Sequence, residues 1–364
     1  WYSYHRKREY VLKSAVSRLI FASEERIGIA SLLNKNNAST AITDLSDTTT
    51  GSDCGETVSN RDCLLQRLFS IDSVSLPPDD TPDYLSSTPL RWALDEAGKY
   101  FDETDDLDHQ YLAGTESPIL PLAEGGECQQ NFVILVSDGF WDMRHWPGTE
   151  RFGDEDNEVG GRIESPWDGG SHADGPDRNC DSNRLTPIRR DTLADVAMHY
   201  YEKDLSELPN NVHPISGVDE NDQQHLVTFS VAFGVNGTVD ANPPNREDDF
   251  PWPPVCPLES TTVDDMRHAA WNGRGEFLSA RNSTEVSARL DRAIASIVGR
   301  RAVPGSRVAF SNKHLTSDTV LFQSRFNTYD WSGDLLAFAV DPETGRVSET
   351  PLWSAAEQLD GKLP

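Results

Sequence analysis

The stretch Asn131-Phe132-Val133-Ile134-Leu135-Val136-Ser137-Asp138-Gly139 decides the fold of this chain. Its apolar residues follow one another without alternation, which is typical of a strand buried on both faces of a parallel sheet. Asp138 follows where the strand ends, and open α/β sheets bind their ligands at the carboxyl ends of their strands. The stretch therefore predicts a buried strand with a carboxylate at the ligand-binding edge of the sheet.

Helices and strands alternate in the sequence around this strand. Apolar residues at helical spacing predict helices, and apolar or alternating runs predict strands. Thr262 followed by Asp265 resembles a capping box, which predicts the start of a further short helix. Such alternation indicates an α/β architecture, and we expect a doubly wound, mostly parallel sheet. The predicted helices are Tyr10–Phe21, Thr88–Phe101, Leu193–Tyr200 and Ser283–Ile297, and the other predicted strands are Arg26–Leu33, His225–Val235 and Gly275–Ala280.

The pattern changes after Arg301. Thr319–Phe326 and Asp334–Val340 are consecutive predicted strands with no helical period between them, which indicates the beginning of an all-β domain. Another segment, rich in Gly, Asp, Asn and Pro, has no apolar period, and loops of its length inside a compact domain are often functional. We therefore expect an α/β domain over 1–300 with a long loop insertion at about 141–190, and strands of a second domain over 301–364.

Composition excludes several classes of function. The chain of 364 residues has a formal net charge of -28, whereas a nucleic-acid-binding surface needs a basic field. The same charge disfavours electrostatic docking on an anionic membrane. Apolar runs stay short of the roughly 18 residues that span a bilayer. The sequence begins with Trp1 rather than Met, and we expect it to be a piece of a longer, exported protein.

Two of the five cysteines are expected to form a disulfide. Cys54 and Cys63 bracket a short polar loop rich in turn formers, and closing it would stabilise the fold by roughly 2–3 kcal/mol in the chain-entropy model. The alternative is a pair of unrelated thiols, because the spacing fits none of the usual zinc patterns. The sequence leaves Cys128, Cys180 and Cys256 unassigned. Disulfides would imply an oxidising compartment.

Four blocks of sequence, taken in order, resemble the PilY/PilC-type tip adhesins of bacterial type IV pili. The last block is the most distinctive, and together the blocks extend from about Tyr10 to the end of the chain. They are Ser87-Thr88-Pro89-Leu90 with Ala97-Gly98 and Tyr100-Phe101; Cys128 with Asn131–Gly139; Thr192–Met198 with Leu208–Val212; and Phe322–Asn327 with Asp330-Trp331-Ser332-Gly333-Asp334-Leu335-Leu336-Ala337.

This resemblance implies a fold and a function. The fold is a von Willebrand factor A-like domain followed by a β-propeller, of which this chain would contain the opening strands. The function is pilus assembly, twitching motility and adhesion at the pilus tip, outside the cell after export through the periplasm. The implied partners are minor and major pilins and a ligand on a host or abiotic surface.

Two other classes of function stay open from the sequence. One is a soluble metal-dependent A-domain protein, used for adhesion or scaffolding and unrelated to pili. The other is an enzyme subunit, such as the A-domain partner of a metal chelatase. The sequence contains none of the common zinc-protease, serine-hydrolase or phosphate-loop motifs, so we expect a binding module rather than an enzyme.

The resemblance also implies an incomplete cation site. A domains hold a divalent cation through hydroxyls and carboxylates on three loops, and Thr88 and Asp138 match two of them. The third loop, an Asp-x-Ser-x-Ser after the first strand, is not found in this sequence. Hard oxygen ligands of this kind suit Mg²⁺ or Ca²⁺. The alternative is that Thr88 caps a helix and Asp138 caps a turn.

A second candidate cation site lies in the predicted insertion. Oxygen-bearing side chains alternate along the loop and would be able to wrap a Ca²⁺ ion, as in an EF-hand. The pattern lacks the central glycine and terminal glutamate of that motif, so a solvated loop is the alternative. The residues are Asp177, Asn179, Asp181 and Asn183.

Overall fold

The computed structural model divides into two compact units, Trp1–Ala293 and Ile294–Pro364. The boundary falls a few residues before the limit of 300 expected from the sequence. Among the residues described, no helix is both long and apolar enough to cross a bilayer. The structure describes residues 8–32, 39–49, 54, 58–71, 88–104, 116–137, 140–141, 152–157, 180, 187–215, 217–240, 250–280, 283–301, 308–310, 319–326, 333–341, 347–348 and 350–360.

The described part of the chain starts with two helices that cap each other. These are α1 (Arg8–Ala22) and α2 (Asn60–Ser70), and between them β1 (Thr48–Thr49) pairs with β2 (Val58–Ser59). At the start of α2, the Arg61 guanidinium donates to the Ile20 carbonyl (3.0 Å) at the end of α1. Lys13 of α1 donates to the Ile71 carbonyl just after α2. Each helix therefore supplies a cation to the negative end of the other, which requires an antiparallel arrangement.

The strand expected over Arg26–Leu33 is wrong. In the described part of that segment, Ile27 forms an isolated antiparallel bridge with Thr43. The Ile29 N–H donates to the Thr40 hydroxyl (3.0 Å). The Thr40 N–H also donates to the Ile29 carbonyl (2.8 Å), so the two segments share isolated backbone hydrogen bonds without forming a continuous ladder.

The first unit contains a three-stranded parallel sheet, as the sequence predicts. Strand β3 (Asn131–Ser137) pairs with β4 (Leu226–Phe233), which pairs with β5 (Arg274–Ala280). The helices that follow α2 in chain order are α3 (Leu90–Phe101), α4 (Leu193–Glu202) and α5 (Thr261–Asn272), and α6 (Ser283–Arg301) begins in the first unit and ends in the second.

Burial in the sheet differs from the sequence prediction. We expected β3 to be buried on both faces, but among its apolar residues only Leu135 is buried and the others are half-buried. Strand β4, predicted from alternation to have one buried face, is buried at every residue. Its polar side chains are accommodated by hydrogen bonding, since the Ser230 hydroxyl donates to the Met266 carbonyl (2.6 Å). Central position in the sheet, rather than apolar pattern, therefore determines which strand is most buried.

Helices α3 and α4 pack at close range. An added Cβ at Gly98 would lie 2.3 Å from the Tyr200 ring, so this position of the first resemblance block must be glycine. The Tyr200 hydroxyl donates to the Asp95 carboxylate (2.8 Å), which also pairs with Lys99 at 2.9 Å. All three side chains are buried. Helix α3 is thus buried on its polar side as well.

The second unit contains an antiparallel sheet in the order β6 (Val308–Phe310), β7 (Val320–Phe326), β8 (Gly333–Ala339) and β9 (Trp353–Ser354), followed by α7 (Ala355–Asp360). The consecutive strands expected after Arg301 are therefore confirmed. Asp334, in the most distinctive resemblance block, accepts from the Ser354 hydroxyl (2.8 Å) and the Ala356 N–H (2.9 Å). The pKa of this carboxyl is lowered, chiefly by the hydrogen bond from Ala356. Asp334 thus joins the start of β8 to the start of α7.

Candidate functional site

A short part of the insertion docks at the start of α4. Residues 152–157 include a 3-10 turn at Glu155–Asn157, and two hydrogen bonds with Asp191 hold their first residues. The Asp191 N–H donates to the Gly153 carbonyl (2.6 Å), and the Gly153 N–H donates to the Asp191 carboxylate (3.0 Å). Phe152 is fully buried in the core. The burial of Phe152 and the hydrogen bonds with Asp191 together place the acidic run, residues 154–156, against α4.

This contact between the insertion and α4 brings three carboxylates close together. Asp154 and Asp156 of the insertion and Asp195 of α4 each place an oxygen so that all three lie within 4.8 Å of one another, and all three residues are buried. Oxygens bound to one Ca²⁺ ion at about 2.3–2.6 Å are at most about 5 Å apart. The triad is therefore compatible with a single divalent cation.

Asp195 already has hydrogen-bond donors. It forms a capping box with Thr192, whose N–H (2.7 Å) and hydroxyl (2.8 Å) donate to its carboxylate. The Glu155 N–H donates to its other oxygen (2.9 Å). Capping a helix accounts for one role of this carboxylate without any ion. The pKa of Asp195 is nevertheless raised well above its ordinary value, by burial first and by the neighbouring Asp156 second.

A further carboxylate supports the same helix end from α5. Asp265 accepts from the Leu193 N–H (3.0 Å) and the Ala194 N–H (3.2 Å), the first residues of α4. The capping box expected for Thr262 and Asp265 is therefore wrong: the residue before α5 is Ser260, which makes no side-chain cap. Asp265 reaches to a neighbouring helix because its own helix has begun four residues earlier. Burial raises its pKa to about 7.

Two histidines fix the acidic run against the helices. His268 of α5 lies 3.0 Å from the Asp156 carboxylate and stacks on Trp252. His199 of α4 lies 3.0 Å from the Glu155 carboxylate. A cavity of about 10 Å³, enough for one water-sized group, lies beside Asp156 and is also lined by His268 and Trp252. A small ion would thus have an approach to one member of the triad.

The candidate residues from the sequence are only partly described. Thr88 lies just before α3, whose first residue is capped by Pro89 without a side-chain hydrogen bond. Arg91, one turn further, donates to the Asp191 carbonyl (2.6 Å), so this end of α3 lies beside the start of α4. The other candidate ligands lie outside the described residues: Asp138, Asp177, Asn179, Asp181 and Asn183.

No prediction from the sequence included the triad itself. Its signals were a Thr-x-x-Asp pattern at Thr192 and Asp195, and three consecutive acidic residues at 154–156. Neither signal was sufficient, because the triad forms only when the insertion folds back on α4. A distance of about forty residues in sequence separates its two parts.

Disulfides tie two parts of the first unit. Cys54 is bridged to Cys63, with a Cα–Cα distance of 5.4 Å, which is the pairing expected from the sequence. Cys180, in the insertion, is bridged to Cys256, just before α5, with the same Cα–Cα distance. The backbone pair Ile188–Val255 lies close by in sequence. The insertion is therefore attached at both of its described ends, and Cys128 is an exposed free thiol.

The chain is similar to proteins of Pseudomonas aeruginosa that are named Type IV pilus biogenesis factor PilY1. It is 26% identical to the protein of strain PAO1, over 99% of this chain and 32% of that protein. Identity is 28% with the protein of strain PAK, over 75% of this chain and 25% of the relative. With the protein of strain UCBPP-PA14 it is 24%, over 100% and 31%. The chain spans about a third or less of the length of these curated relatives. Neither a family model nor a solved structure matches it.

Proposed function

We propose, from the premise that this chain is a PilY1-type protein, that it belongs to a type IV pilus biogenesis factor acting at the tip of the pilus. Its role there is that of a non-catalytic binding module that promotes pilus assembly and adheres to surfaces. It works outside the cell, with minor and major pilins and a host or abiotic surface ligand as its partners. The resemblance seen in the sequence is confirmed at the level of the PilY1-type protein.

The observation that carries this proposal is similarity over almost the entire chain. Relatives with one name match 99–100% of the chain in two cases, so both units take part in the resemblance. The alternative, a free A domain unrelated to pili, is not favoured, since such a domain would not require the second unit to match. The parallel sheet with its helices supports an A-like first domain. The antiparallel sheet supports the opening strands of a propeller.

Deletion of the gene for the full-length protein tests the proposal. We expect the source bacterium to lose most of its surface pili and its twitching motility, and to regain both when the full-length gene is restored. Surface pili are counted by electron microscopy, and attachment to glass is counted per piliated cell. Normal numbers of pili in the deletion strain would refute a role in biogenesis, and unchanged attachment per piliated cell would refute the adhesive role.

We further propose that the acidic triad binds Mg²⁺ or Ca²⁺. Ca²⁺ fits best, because it accepts several carboxylate oxygens in irregular geometry. Asp154 is the residue to change, since Asp195 rather than Asp154 caps α4, and the ion pair of Asp154 with Arg190 (3.6 Å) involves a largely exposed guanidinium. We expect Asp154→Asn to weaken Ca²⁺ binding at least tenfold in calorimetry, with melting temperature of the ion-free protein nearly unchanged.

Asp138→Ala provides the matched comparison for this cation. If the ion binds instead at the sheet edge predicted from the sequence, Asp138→Ala weakens binding and Asp154→Asn does not. Equal binding by wild type and Asp154→Asn would therefore remove the triad from the cation site.

A further inference from the structure

The turn before α5 places a leucine in a backbone conformation that favours glycine. The Glu259 N–H donates to the Cys256 carbonyl (3.1 Å), which closes a four-residue turn through Pro257 and Leu258. Leu258 has φ of 61°. Positive φ at the third position, after a proline, is the arrangement of a type II turn, where glycine or asparagine is preferred. A leucine at this position costs stability in the folded chain.

Packing does not compensate for this cost. The Leu258 residue is 56% exposed, so its side chain contributes little to the core. An exposed leucine is ordinary by itself, and so is a strained residue that is buried among supporting contacts. Here strain and exposure coincide in one residue. Strained positions of this kind persist mainly where they serve function.

The turn is held rigidly at its base. Cys256 is bridged to Cys180, and the Cys256 N–H donates to the Thr261 hydroxyl (2.8 Å). The Leu258 N–H donates to the carbonyl of Trp141 (3.0 Å), a residue that is fully buried. The exposed side chain is therefore presented on a backbone with little freedom, which lowers the entropic cost of binding a partner.

The position of the turn suits an interaction surface. Trp141 follows shortly after the carboxyl end of β3, and α5 begins at the same edge because it connects the parallel strands β4 and β5. Ligands of open α/β sheets bind at this edge. The Leu258 turn thus lies on the side of the sheet where a binding partner is expected.

We propose that Leu258 is an anchor that inserts into an apolar pocket on a protein component of the pilus, and that lysine or arginine side chains surround this pocket. A single projecting apolar side chain fits a pocket in the partner, as interface anchors do. The basic rim follows from charge complementarity with Glu259 beside the anchor and with a chain of net charge -28. This assignment rests on the proposed pilus function.

Binding of the full-length protein to immobilised recombinant major and minor pilins tests the anchor. Affinity is measured by biolayer interferometry. We expect Leu258→Asn to bind at least tenfold more weakly, while its melting temperature rises by about 2–4 °C because asparagine tolerates positive φ. Leu258→Met, which keeps an apolar side chain, should bind within about threefold of wild type. Leu122→Asn is the matched control, since Leu122 is 54% exposed and lies elsewhere on the first unit.

Four outcomes would overturn the assignment in different ways. Equal binding by Leu258→Asn and wild type would show that the side chain is not an anchor. A lower melting temperature of Leu258→Asn would show that the leucine supports the fold. Failure of the wild-type protein to bind any of these pilins would refute the proposed pilus function, and the anchor with it. Weakening by Leu122→Asn as well would show general loss of surface adsorption rather than a specific contact.

Discussion

Asp265 and Asp195 are carboxylates that serve a helix end while they are removed from water. Backbone N–H groups at the start of α4 donate to both, and such bonds favour the ionised form. Burial opposes this, and for both residues burial is the larger influence on the pKa. Ionised carboxylates at this site therefore carry a desolvation cost. A bound cation would offset that cost.

The pH dependence of stability should report this cost at Asp265. Its pKa is about 7 in the folded protein against an ordinary 3.8, so the folded state holds the proton more tightly than the unfolded state. The resulting stabilisation is complete below about pH 4 and is lost as pH rises towards about 7; it is on the order of a few kcal/mol. Asp265→Asn has no such proton. We expect the melting temperature of wild type minus that of Asp265→Asn to fall between about pH 4 and about pH 7, measured with a chelator present.

The comparison of two proteins at each pH removes the contribution of the many other carboxylates. His268 and Asp156 are the titratable groups whose charges influence the pKa of Asp265, and both remain in the variant. A difference that grows with pH would mean that the hydrogen bonds from Leu193 and Ala194 outweigh burial. In that case the pKa of Asp265 is depressed rather than raised.

At the scale of elements, hydrophobic pattern predicted the positions of most helices and strands in the described chain. It located β3, β4 and β5 because each is an apolar run between helical segments. It failed at Arg26–Leu33, where apolar content was sufficient for a strand but pairing is limited to isolated backbone contacts with Thr40 and Thr43. The hydrophobic pattern indicates which side chains a segment can bury. Strand pairing depends in addition on the segment that lies beside it.

The ends of elements were harder to predict than their centres. Asp265 looked like the third residue of a capping box, yet it caps α4 because α5 begins earlier than expected. The hydrophobic pattern also did not predict which polar residues are buried. Lys99 and Asp95 of α3 are buried because Gly98 allows Tyr200 to approach. Each of these outcomes depends on a neighbouring element, which periodicity within one segment does not encode.

At the scale of the whole first unit, the insertion is the part that sequence could not place. Its acidic run meets α4 through residues far apart in sequence, and its cysteine pairs across 76 residues. Several pairings of the five cysteines were possible, and only the short Cys54–Cys63 loop could be argued from spacing. The candidate site depends on this long-range closure, because Asp154 and Asp156 belong to the segment that it restrains.

The two disulfides should therefore differ in their effect on stability. In the chain-entropy model, the loop closed by Cys54 and Cys63, 9 residues apart, contributes about 2–3 kcal/mol. The loop closed by Cys180 and Cys256 contributes about 4–5 kcal/mol, because a longer loop restricts the unfolded chain more. We expect the Cys180→Ser/Cys256→Ser variant to unfold at a lower urea concentration than Cys54→Ser/Cys63→Ser, and to be cleaved by trypsin within the insertion while still native. Equal urea midpoints together with an uncut insertion would show that backbone contacts alone hold the insertion on α4.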